Sequence, residues 1–120
     1  MNRLLVWFFP LMLSVLAVPA ALHAAPATVA FVQSAEAVEC YDFVEITLKV
    51  SNPDAKNPFT DAQAEGSFAR QGALRESVTG FCDSAAGDVF RVRFMPVTPG
   101  EYEYAVTYRQ GTYQAAHKGR

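Results

Sequence analysis

Apolar and polar residues alternate with a period of two through much of this chain. Phe90, Val92 and Phe94 alternate with Val89, Arg91 and Arg93. Tyr102, Tyr104, Val106 and Tyr108 alternate with Glu101, Glu103, Ala105 and Thr107. Successive side chains of a strand point to opposite faces, so each run predicts a strand with one buried face. Between the two runs, Pro99-Gly100 suits the centre of a type II turn. Residues 38–50 form the strongest single run: Val44, Ile46, Leu48 and Val50 share one phase, and Glu45, Thr47 and Lys49 the other. Asp42 breaks the phase set by Val38 and Cys40, which predicts a bulge or bend there.

Residues 64–70 predict another strand, with Ala64, Gly66 and Phe68 on one face. Residues 74–81 predict a weaker strand. Val29, Phe31 and Val32 suit an edge strand in the lead-in. Pro53 and Pro58 cannot donate to a ladder, so residues 51–58 read as a loop. Gln71-Gly72 reads as a turn and residues 82–88 as a polar loop. No segment carries an apolar stripe with the 3.6-residue period of a helix. Short strands separated by turn signals predict an all-β antiparallel sandwich. Tyr102 or Tyr104, just after the Pro-Gly pair, suits a tyrosine corner; the alternative is an ordinary cross-strand aromatic. After Gln110 the alternation fades, and the sandwich is expected to lack its final strand.

The first residues follow a different logic. Met1-Asn2-Arg3 is short and positive, residues 4–18 are almost continuously apolar, and small residues follow up to Ala25. The run is shorter than the ~20 residues of a spanning helix. This predicts a secretory signal peptide over residues 1–24 and a sandwich module over residues 25–120, exported to the periplasm or the extracellular space. No later segment is long and apolar enough to span a membrane as a helix, so no membrane partner is expected.

Removing residues 1–24 takes Trp7, His23 and Arg3 away, and changes the chemistry on offer. Nine basic residues then face twelve acidic ones, and His117 is the one remaining histidine. Scattered, slightly acidic charge gives no footprint for nucleic acid. A Ser-His-Asp triad needs a positioned histidine, and His117 lies in a Gly/Lys-rich tail. A zinc site needs several His or Cys ligands, and only His117, Cys40 and Cys82 are present. No catalytic residue, cofactor or metal site is therefore expected.

Weaker candidates remain. In an exported protein Cys40 and Cys82 are permitted to form a disulfide; the alternative is two separate thiols acting as small apolar side chains. Glu45, Glu101 and Glu103 fall on the polar phase and read as a solvated sheet face rather than a glycosidase carboxylate pair. Asp83 and Asp88 flank a small loop, too sparse a set for calcium. Arg91 and Arg93 are expected to pair with Glu101 and Glu103 if the corner folds their strands together. Their face is alternatively one that meets another domain, where Arg and Tyr are favoured. Most aromatics are needed for the core. Tyr41, Phe59, Asp83, Arg91, Arg93 and Tyr113 are the candidate contacts to a partner or a sugar, with Tyr41 and Tyr113 the best placed to be exposed.

Several pieces in order carry a family resemblance: Val38-Glu39, Tyr41-Asp42-Phe43-Val44-Glu45, Asn57-Pro58-Phe59-Thr60-Asp61, Gly80-Phe81-Cys82-Asp83, Phe90-Arg91-Val92-Arg93-Phe94-Met95-Pro96 and Pro99-Gly100-Glu101-Tyr102-Glu103-Tyr104. Over roughly residues 36–119 the chain resembles the 5060-type domain of unknown function, which precedes the catalytic barrel in secreted bacterial glycoside hydrolases. The resemblance implies an immunoglobulin-like β-sandwich packed on, or tethered to, a (β/α)-barrel, with no catalytic residues in the module. Cys82-Asp83-Ser84 departs from the Tyr-Asp-Gly of many members. Against the family pattern the chain is expected to be truncated, ending at Gly119-Arg120 about where the family begins its final strand and before the barrel.

The expected function is thus a non-catalytic accessory module of an exported glycoside hydrolase, with the barrel as partner. The alternative is a stand-alone carbohydrate-binding module that grips polysaccharide. A small enzyme is the remaining reading.

Overall fold

A computed structural model describes residues 28–120. The expected signal peptide and cleavage site lie outside the described residues. Among the described residues, eight strands form two antiparallel four-stranded sheets: β1 (Val29–Gln33), β2 (Val44–Val50), β3 (Ala62–Arg70), β4 (Glu76–Thr79), β5 (Phe81–Cys82), β6 (Val89–Phe94), β7 (Tyr102–Gln110) and β8 (Tyr113–Gly119). One sheet runs β1-β2-β6-β5 and the other β4-β3-β7-β8. The all-β sandwich expected from the alternation is what the chain forms.

The core is the sum of the inward phases. Ile46, Leu48 and Val50 of β2 and Phe90, Val92 and Phe94 of β6 face Ala64 and Phe68 of β3 and Tyr104, Val106 and Tyr108 of β7. Aromatic rings join the two layers. Phe68 stacks on Phe94 at 4.3 Å between centroids, and Phe90 meets Tyr108 edge-on at 5.2 Å. Gly66 lets the sheets close at the centre: a Cβ there would stand 2.6 Å from Val92 Cγ1 and 2.7 Å from Phe68 Cε2. Tyr108 donates to Gln110 Oε1 at 2.7 Å, and Gln110 donates in turn to Asp54, which ties the 51–58 loop to β7. Burial pushes the Tyr108 hydroxyl up to about 12, so this phenol stays a donor through the neutral range.

Four expectations need correction. The strand read over residues 38–50 begins only at Val44, because Tyr41 takes a left-handed conformation (φ 67°) and residues 39–42 close a turn from Asp42 N–H to the Glu39 carbonyl. The bend expected at Asp42 is thus a full break. The weak strand over residues 74–81 is two strands in different sheets, β4 and β5, and Leu74 is exposed. Gly80 is the switch: its N–H donates to Ala64 O at 2.8 Å, and a Cβ would lie 2.7 Å from Arg91 O.

The third correction concerns the end of the chain. A further strand, β8, follows Gln110 and pairs with β7 from Gln110↔Tyr113 to Tyr104↔Gly119. It escapes the alternation because it is an edge strand whose inward residues are mostly small or polar. His117 lies on it and stacks on Phe31 of β1 at 5.3 Å, so β1 and β8 meet along one side of the sandwich. Fourth, β6 and β7 are not a hairpin. The corner between them carries the chain from one sheet to the other, so Arg91 and Arg93 do not meet Glu101 and Glu103. Those two acids lie near Arg120 instead. Tyr102, not Tyr104, makes the tyrosine corner, donating to the Thr98 carbonyl at 2.9 Å, while Tyr104 donates to Gln33 Oε1. Gly100 has φ 144°, wider than a type II turn requires, with Arg70 Cδ where its Cβ would project.

Of the two readings open for the cysteines, the structure has the second: Cys40 and Cys82 are free thiols. Tyr41, next to Cys40, bonds the Pro96 carbonyl beyond one end of β6, whereas Cys82 pairs with Phe90 near the other. At ~3.3 Å rise per residue the length of β6 separates them, far beyond the ~7 Å Cα limit for a disulfide.

Gly80→Ala should cost about 1–3 kcal/mol in urea unfolding, because backbone rather than a flexible side chain occupies the space. Tyr102→Phe should cost about 1 kcal/mol through the lost corner bond. Thermal melting with and without reductant should give the same Tm.

Candidate functional site

The register of β2, β6 and β5 builds one organised cluster on the outer face of the first sheet. Glu45 pairs with Arg93 and Thr47 with Arg91 across the β2–β6 ladder, and Phe81 pairs with Arg91 across β5–β6. All carry the outward phase of their strands. The alternation that buries Phe90, Val92 and Phe94 therefore also sets this row.

Glu45 is the hub. Its Oε1 accepts from Arg91 Nη1 at 2.5 Å and its Oε2 from Arg93 Nε at 2.7 Å. Arg91 is held on its other side as well: Nε donates to Asp83 Oδ2 at 2.6 Å and Nη1 also reaches Thr47 Oγ1 at 3.2 Å. The hydrogen bond from Arg93 does most to hold the Glu45 carboxyl below its usual 4.5; burial opposes it and Arg91 adds to it. The bond to Asp83, with that to Glu45, raises Arg91 in turn. A carboxylate held ionised by two guanidiniums is a poor general acid, since that role needs a raised pKa.

Arg93 is held by more than its ion pair. Its guanidinium carbon lies 5.2 Å from the Phe43 ring centroid and 5.1 Å from that of Phe81, both within cation–π range. Phe43 is two residues from the Glu45 opposite, and Phe81 opposes Arg91, so the two rings sit at diagonal positions on either side of Arg93. Phe43 (48% exposed), Phe81 (41%) and Met95 (51%) leave much of their surface to solvent, and Tyr41 is exposed at the turn before them.

The structure brings three of the sequence candidates, Asp83, Arg91 and Arg93, into this cluster. Tyr41 lies at its rim. Phe59 is exposed in the turn before β3 and lines a separate hollow with Phe81 and Pro58. Tyr113 packs partly buried against the core, with Tyr108 6.3 Å away, and is not the exposed platform expected. The sequence reading missed Phe43 and the hub role of Glu45. The phase shared by Phe43 and Glu45 with the outward run was the available signal.

One other place has some shape. An apolar hollow of about 470 Å³ opens at the end of the sandwich between the 35–40 loop and the corner, over Phe68, Phe94 and Tyr104. Among the described residues, no three His, Cys, Asp or Glu residues come together as a metal site.

Glu45→Gln should lower Tm at neutral pH. The lowered Glu45 pKa contributes stability that is fully present above the unfolded value near 4.5 and is lost as pH falls through the folded one. Melts from pH 7 to pH 3 should show the gap between wild type and variant closing at the acid end.

A family model described as a domain of unknown function, DUF5060, matches residues 37–109. The chain is also similar to a crystal structure described as a "putative glycoside hydrolase" from Bacteroides vulgatus, at 26% identity over 66% of this chain and with a TM-score of 0.47. The matched region is 15% of that protein's chain. Comparison with curated proteins gives no match. The family match covers more than half of the sequence, the full cluster around Glu45 included, and the chain belongs to the DUF5060 family.

Proposed function

We propose that this chain is a non-catalytic docking module of an exported glycoside hydrolase, with the hydrolase's (β/α)-barrel as its partner. The observation that carries the reading is the outer face of the first sheet. There Arg93 is clamped between two exposed phenylalanines, and the one well-placed carboxylate is fixed in its ionised form. Arginine and aromatic residues ordered before contact are what protein interfaces favour. Membership of the DUF5060 family supports the same reading, since the family resemblance implies a sandwich beside a barrel. The module works by rigidity: its role is to hold a surface against the barrel.

Carbohydrate binding is the second reading, favoured by Tyr41 and Phe59, whose rings are exposed. Tyr113, the other aromatic suggested for a sugar, packs on the core and does not support it.

The test is sedimentation velocity of residues 25–120 mixed with the glycoside hydrolase barrel encoded nearest to this chain in its genome. A 1:1 complex at micromolar concentration is expected. No complex, together with retardation of the chain in polysaccharide gels, would move the assignment to a sugar-binding module. Hydrolysis of aryl glycosides by the chain alone would overturn the non-catalytic reading.

A further inference from the structure

We propose that Arg93 is the receptor for a single carboxylate on the partner protein, seated between Phe43 and Phe81. The inference rests on the docking reading and gives it a chemistry.

The two arginines of the cluster differ in what they have left to offer. Arg91 spends Nε on Asp83 and Nη1 on Glu45 and Thr47. Arg93 spends only Nε, on Glu45; its two Nη atoms have no hydrogen-bond partner among the described residues. The Arg93 side chain is 51% exposed, against 28% for Arg91. What Arg93 presents is therefore the outer fork of a guanidinium, the pair of parallel N–H groups that matches a carboxylate in bidentate fashion. Lysine offers no such fork.

The fork is also ordered in advance. Phe43, just before β2, and Phe81 of β5 flank it, and Glu45 anchors its inner edge, itself fixed by Arg91. A long side chain normally loses rotamer freedom on binding; here the sheet has already restricted it. The exposed parts of Phe43, Phe81 and Met95 form an apolar border around the fork. Such a border excludes water once covered, which strengthens the charge-assisted bonds inside it. Its occupant is a carboxylate carried among apolar side chains. The cluster's own charges already balance, two guanidiniums against Glu45 and Asp83. Attraction to a further carboxylate is thus short-ranged, directed by the fork rather than by a broad basic field.

The test uses 3-phenylpropionate as the probe and 3-phenylpropionamide as its neutral match, each titrated into residues 25–120 while the Arg93 Nε–H and the ring signals of Phe43 and Phe81 are followed by NMR. Saturable shifts with the acid, at least about tenfold weaker with the amide, are expected. Arg93→Lys should abolish them while leaving the amide spectrum of the core unchanged. Equal response to acid and amide, or an unaltered response in Arg93→Lys, would overturn the inference. The barrel experiment separates this proposal from the one beneath it. A barrel complex that tolerates Arg93→Lys leaves the docking reading standing and removes the carboxylate receptor. A specific acid response without any barrel complex does the reverse.

Discussion

The corner between Phe94 and Tyr102 carries the chain across the sandwich, and much else depends on that crossing. Pro96 is buried, Gly100 adopts a backbone conformation that glycine alone takes readily, and the Tyr102 hydroxyl bonds the Thr98 carbonyl. Together they prevent β6 and β7 from closing as a hairpin. β6 is left to pair with β2 on one side and β5 on the other. That pairing places Arg93 opposite Glu45 and Arg91 opposite Phe81. A hairpin would have put the same arginines against Glu101 and Glu103. Those acids now lie near Arg120 on the other sheet, in exposed pairs of the kind that contribute little to stability.

The inner and outer faces of the first sheet are therefore one problem. A one-residue slip of β6 against β2 would turn Phe90, Val92 and Phe94 outward and send Arg91 and Arg93 into the core. Burial of the phenylalanines sets the register with a large apolar area. The ion pairs on the outer face are satisfied only in that same register. Gly66 and Gly80 tighten the constraint, because each occupies a gap too narrow for a Cβ. The outer cluster can be ordered at the surface because the core beneath it leaves little choice of alignment.

This explains which parts were legible in the sequence. β2, β3, β6 and β7 were read from alternation because each has an inward phase buried against the opposing sheet. β8 was missed because at an edge its inward residues need not be large: Ala115 and Gly119 suffice beside Tyr113. The division at Gly80 was missed because a sheet switch follows from a close backbone approach, which leaves no periodic trace. The arginines were placed on the right face but given the wrong partners, since nearness in sequence suggested a hairpin where the chain makes a crossing. Glu45 read as a solvated residue because its neighbours lie 46 and 48 positions away. Phe43 shared the phase of Glu45 and could have been placed beside it, but the cation–π clamp needed β5 as well as β2.

A fixed carboxylate at the centre of the cluster argues for recognition over chemistry. Turnover by a carboxylate pair needs one group whose proton is held near the working pH, and an environment that moves the two pKa values apart. At Glu45 the environment works the other way: both nearest guanidiniums favour the ion. Asp83 serves to anchor Arg91, and both carboxylates act to orient arginines. Most of what the network leaves unspent is on Arg93, at the exposed centre of the row: both of its Nη groups, against Nη2 alone on Arg91. On the docking reading, the largest unspent set of donors in this row is the outward-facing fork of Arg93. Such a fork would hold a complementary group at a fixed height and angle above a rigid sheet.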